Sequence, residues 1–235
     1  MNKQSSKGFT LVEIAIVLVI VGLLIGGVLK GQEMITNAKL KRIESDNAGI
    51  AAAMFSYQDR YLQLPGDDSG AGGRFDVYTD ATDGVKEKAN GDGNGVVGVI
   101  RSGWDITKTS DQWVDGSPST ATLPAGEENS KFYAHMRAAG LIPGGGGESA
   151  TRPTNAYGGL IGLQSGALDM SGHVVVFGQI EGAISRILES RLDDSDRDSG
   201  RIQSVIAKGS ESFGDLKAGT ALYLEANRYD MAFRL

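Results

Sequence analysis

The chain has 235 residues, with 23 Lys and Arg against 29 Asp and Glu, a net charge of −6 at pH 7, and no cysteine. That length holds one moderate domain plus an anchor. The acidic balance argues against a general nucleic-acid binder, because phosphate binding rests on Lys and Arg, and without cysteine there is neither a disulfide staple nor a thiol nucleophile.

The first predicted element is an apolar run. From Phe9 to Leu29 the only charged residue is Glu13. At ~1.5 Å per residue such a run reaches about 30 Å, the thickness of a bilayer core. An ordinary secretory signal would need a small-residue cleavage site after the run, and GGVLKGQEM offers no Ala-x-Ala. A simple signal anchor is the other plain reading. Orientation is not decided by basic flanks: Lys3 and Lys7 precede the run, and Lys30, Lys39, Lys41 and Arg42 follow it.

Glu13 sets this run apart from a plain anchor. A carboxylate in a membrane helix costs ~2.5–3.5 kcal/mol at mid-bilayer and by default needs a partner. A cut between Gly8 and Phe9 would supply one, since a new α-amine titrates at ~7.7–8.0 and is largely cationic near neutrality. Phe9 and Glu13 are four apart, so the amine can meet its own carboxylate on one helix face or the Glu13 of a neighbouring subunit.

The stretch KGFTLVE, residues 7–13, resembles the processing site of type IV pilins and type II secretion pseudopilins, and the polar leader MNKQSS and basic Lys7 also fit. The close resemblance covers residues 7–65. It implies cleavage after Gly8 by a prepilin peptidase, methylation of Phe9, and use of Glu13 in assembling a helical filament with other pilin-like subunits. It further implies an inner-membrane platform protein, an assembly ATPase, contact with membrane lipid, a cytoplasmic leader and a periplasmic or extracellular C-terminal domain. One departure is the lack of a proline in the anchor. Gly22, Gly26, Gly27 and Gly31 stand there instead; they either loosen the helix or permit close helix–helix approach.

Beyond the membrane run, Met34, Ile35, Ala38, Ile43, Ile50, Met54, Tyr57 and Tyr61 recur at roughly helical spacing. One helix is expected from near Phe9 to about Leu62, ended by Pro65 and Gly66. The chain then divides into a leader (1–8), a transmembrane assembly helix (9–30), an amphipathic continuation (31–62) and a globular domain (63–235). Glycines, 34 in all, cluster over 66–103 and 140–172, where long loops are expected. Residues 127–141 read as a short helix. HVVVFGQI (173–180) reads as a strand, and 182–192 as a helix with a stripe of Ile184, Ile187, Leu188 and Leu192. IQSVIAK (202–208) and ALYLEAN (221–227) read as strands, and MAFRL as a further edge strand. The fold class is α+β, a long helix against a small antiparallel sheet.

Two acidic segments have the composition of calcium loops, in which oxygen ligands alternate along the chain. In NGDGNG the candidates are Asn90, Asp92 and Asn94; in LDDSDRDSG they are Asp193, Asp194, Asp196 and Asp198. A flexible turn and a solvated linking loop are the respective alternatives. The EF-hand pattern is incomplete, since its twelfth position falls on Arg101. His135 and His173 stand alone and read as structural, and Trp104 and Trp113 lie in loops. No nucleophile elbow or phosphate-binding loop is present. The sequence therefore points to a structural subunit with no catalytic residues and no nucleic-acid partner, for a type IV pilus or a secretion pseudopilus. Its length and large, loop-rich domain suggest a minor subunit, with a less common major subunit as the other reading. The alternative is a membrane-anchored binding module that meets a ligand through residues 66–172.

Overall fold

The computed structural model describes residues 11–75, 78–79, 86–87, 90–97, 128–143, 152–168, 170–207 and 222–235. The chain forms two compact units, Met1–Lys41 and Arg42–Leu235. The first helix, α1 (Leu11–Tyr61), is shared between them. In the first unit its apolar residues are exposed throughout the membrane-length run, Leu11 at 90% and Leu23 at 73%. Met34 and Ile35 are exposed as well, so the apolar spacing read there is not a buried stripe.

In the second unit the expected stripe is present: Ile43, Ile50, Met54 and Tyr57 are buried. The helix ends where Leu62 takes a left-handed conformation (φ 56°) ahead of Pro65 and Gly66. A single turn, α2 (Ala71–Arg74), and a minimal hairpin of β1 (Tyr78–Thr79) and β2 (Lys86–Glu87) follow. Helix α3 (Glu128–Ala138) is as expected, with Phe132, Tyr133 and Met136 buried. The last turns of α1 meet it through Tyr57, whose ring stacks on His135 with centroids 6.1 Å apart.

The remaining strands are β3 (Ile161–Ala167), β4 (Met170–Glu181), β5 (Ile202–Ile206) and β6 (Arg228–Arg234). They form one antiparallel sheet in the order β3-β4-β6-β5. Both faces are covered. Val174 and Val176 pack with Met170, Val205 and Ala232 on one face. On the other, Val175 pairs with Phe233 and Phe177 with Met231, and the Phe177 and Phe233 rings meet edge-on. Helix α4 (Gly182–Leu192) leaves β4 directly and lies against β4 and β6.

Three expectations change. Residues 222–227 are not a strand: Leu222 and Leu224 are exposed and only Tyr223 between them is buried, so the apparent alternation buries one residue rather than a face. The C-terminal strand starts earlier than MAFRL and is central, hydrogen-bonded to both β4 and β5. Glycine-interrupted IGLQSGA, in a region expected to be loop, is the edge strand β3.

Candidate assembly helix and acidic sites

Glu13 lies in the first turn of α1 and is exposed. Lys7, Gly8 and Phe9 lie outside the described residues, as do Trp104 and Trp113. A Cβ placed on Gly22, Gly26, Gly27 or Gly31 would meet nothing within 4 Å. Crowding inside the described chain therefore does not account for these four glycines. Among the described residues, α1 is the one helix long and apolar enough to cross a membrane.

The NGDGNG loop is held by a residue that the sequence reading passed over. Asp67, 1% exposed, accepts N–H bonds from Gly93 (2.7 Å) and Asn94 (3.0 Å) at Oδ1 and from Gly95 (2.7 Å) at Oδ2. Gly93 and Gly95 have φ of 78° and 87°, and these left-handed turns aim successive amides at one point, forming a nest for an anion. The loop's own side chains are engaged as well. Asn90 Oδ1 accepts from Gly72 N, Asp92 Oδ1 and Oδ2 accept from Asn94 N and Nδ2, and Asn94 Oδ1 accepts from Val96 N. Glu128 Oε1 accepts from Asp92 N at 2.9 Å. Carboxylate oxygens of Asp67, Asp92 and Glu128 come within 4.8 Å of one another.

Asp68, next in sequence, faces the other way. It is fully buried and accepts from Tyr57 Oη at 2.6 Å, from Gly70 N at 2.8 Å and from Arg74 Nη2. Burial alone would raise its pKa, but the Arg74 and Tyr57 hydrogen bonds outweigh that and hold the carboxyl below the usual carboxylate range. His135 is structural here: its Nδ1 accepts from Gly66 N at 2.8 Å. His173 is engaged too, with Nδ1 3.0 Å from Ser165 Oγ.

The second acidic segment caps the end of α4. Asp193 N donates to Glu189 O at 2.9 Å, closing the last turn. Asp193 Oδ2 accepts from Ile202 N at 2.6 Å, and Asp194 accepts from Asp196 N (2.9 Å) and Ser199 Oγ (2.7 Å). Asp196 Oδ1 accepts from Asp198 N, and Asp198 Oδ1 from Arg197 Nε. One oxygen each from Asp193, Asp194 and Glu189 lies within 4.8 Å of the other two; Asp196 and Asp198 are not in this group. Glu189 is 1% exposed. Its Oε2 accepts from Tyr223 Oη at 2.8 Å, while its Oε1 is buried without a hydrogen-bond partner. Burial, with Asp193, Asp194 and Asp196 adding to it, pushes the Glu189 carboxyl up to about 8 against the Tyr223 hydrogen bond. The sequence held one signal for Glu189, its place in an amphipathic helix. However, the buried face runs through Ile184, Ser185, Leu188 and Glu189, with Leu192 exposed, so the expected stripe is rotated.

The N-terminal segment decides the family signal. A family model, the prokaryotic N-terminal methylation motif, matches residues 3–29. The chain carries the type IV pilin and pseudopilin signature. Searches of curated proteins and of solved structures each returned no match. The pilin signature implies processing by prepilin peptidase and assembly with other pilin subunits, in a family whose members are structural rather than enzymatic. Together with the apolar first half of α1, the signature points to membrane anchoring.

Proposed function

We propose that the chain is a structural subunit, of the minor kind, in a type IV pilus-like filament or a type II secretion pseudopilus. It is cut after Gly8, N-methylated at Phe9 and incorporated through α1, with Glu13 pairing to the Phe9 amine of a neighbouring subunit. The carrying observation is that the methylation motif, residues 3–29, overlaps an exposed apolar helix in which Glu13 is the charged residue of the apolar run. The four glycines of α1 support the same reading, because small residues let membrane helices approach closely and nothing within the described chain fills the space beside them. In this reading Arg42–Leu235 lies on the periplasmic side, and an assembly ATPase and a platform protein supply the mechanical work. The subunit itself catalyses nothing.

Glu13→Gln tests the proposal. The variant should insert and be cleaved normally but be missing from sheared filaments or isolated pseudopili. Normal incorporation of Glu13→Gln would overturn the assembly role of Glu13 and leave a simple anchor.

A further inference from the structure

We infer that Glu189, Asp193 and Asp194 form a calcium site at the C-terminal end of α4, where a bound ion ties that helix to the 193–201 loop and the start of β5. Two independent observations converge on it. Three carboxylates from α4 and the residues just after it each place an oxygen within 4.8 Å of the others. One of them, Glu189, is 1% exposed and holds Oε1 in the interior with no hydrogen-bond partner. An acidic cluster alone is ordinary. A buried carboxylate oxygen left without a donor is costly, and a cation shared with Asp193 and Asp194 satisfies it.

The supports around the cluster suit ligation. Tyr223 Oη accepts a hydrogen bond from Ser204 Oγ (2.7 Å) and donates one to Glu189 Oε2 (2.8 Å), fixing the carboxylate so that Oε1 faces away from this pair. Ile202 N holds Asp193 Oδ2, while Ser199 Oγ and Asp196 N hold Asp194. Such outer-shell bonds orient metal ligands. The cluster also sits at the end of a helix where unpaired carbonyls favour positive charge.

The ligand chemistry selects the ion. With only carboxylates present, the set favours calcium, magnesium or manganese over zinc or copper. Calcium takes oxygens at ~2.3–2.6 Å, so ligands across the ion stand up to ~5 Å apart. Magnesium, at ~2.0–2.1 Å, draws its ligands closer and keeps several waters. Three carboxylates whose oxygens lie within 4.8 Å of one another suit calcium, which accepts more oxygen ligands and looser geometry than magnesium.

The test uses the full-length chain in detergent with terbium as a calcium probe, because Tyr223 stands beside the site and can sensitise its luminescence. Tyrosine excitation should give terbium emission that calcium displaces, and calcium should raise Tm relative to a chelator, since a ligand that binds only the folded state stabilises it. Asp194→Asn, at an exposed position that keeps the fold, should weaken terbium binding by about tenfold or more. Glu189→Gln should abolish the calcium-dependent rise in Tm while leaving the calcium-free Tm unchanged or higher. The inference fails if the wild type shows no calcium-displaceable emission and no Tm rise at millimolar calcium. It also fails if both responses persist in Asp194→Asn and Glu189→Gln, which would place the ion elsewhere, Asp67–Asp92–Glu128 first.

Discussion

Asp67 and Asp68 are neighbours with different duties. Asp67 gathers three backbone amides of the 93–95 turn, and Asp68 joins the end of α1 to α2 through Tyr57 and Arg74. In Asp67→Asn one acceptor oxygen becomes an amide facing N–H donors. A buried donor left unsatisfied costs about 1–3 kcal/mol, so Tm should fall by several degrees; an unchanged melt would mean that the turn does not depend on this carboxylate. For Asp68 the folded pKa is depressed. Its stabilisation is therefore present above the unfolded carboxyl value of ~3.9 and is lost as pH falls through the lower folded value. Asp68→Asn should lower Tm at neutral pH and flatten the acid limb of the Tm–pH curve below about pH 4. A parallel downward shift at every pH would contradict this sign. In the sequence, NGDGNG displayed its oxygens but hid its donors. The amides that grip Asp67 belong to the backbone, and no side-chain pattern reports them.

At the scale of elements, what could be read depended on how much of each period a segment displayed. HVVVFGQI is a near-continuous apolar run because β4 is covered on both faces, and it was legible for that reason. Strand β3 buries Ile161, Leu163 and Ser165 at alternate positions, but the intervening glycines and Gln164 present a loop-like composition. Strand β6 was mistaken for an edge because its buried Asp230 breaks the apolar run, yet Asp230 Oδ1 accepts from Gln179 N at 2.9 Å at the irregularity in β4. The junction of β4 and α4 gives a sharper prediction. A Cβ on Gly182 would stand 2.1 Å from Leu224 O and 3.1 Å from Asn227 O. Gly182→Ala must therefore push the backbone before β6 away from α4, and should destabilise by about 3 kcal/mol or more. Denaturant unfolding with an unchanged midpoint would show that this close approach is not needed.

For the whole molecule, the signature and the bulk of the chain carry different information. The methylation motif occupies residues 3–29, and it was legible because KGFTLVE and the apolar run behind it stand contiguous in the sequence. The unit Arg42–Leu235 offers no comparable motif, and its acidic groups are assembled by tertiary contacts: Glu128 reaches Asp92 from 36 residues away and Tyr223 reaches Glu189 from 34. Glu189 was invisible for this reason, since its significance lies in burial beside two aspartates. In the proposed function, the first helix begins at a processed, methylated Phe9 whose amine serves Glu13. The direct measurement is the mass of the intact protein and of its N-terminal peptide, taken from native membranes with active prepilin peptidase. A chain that starts at N-methylated Phe9 is the expected result; a chain that still carries residues 2–8 would overturn the processing and the role given to its amine.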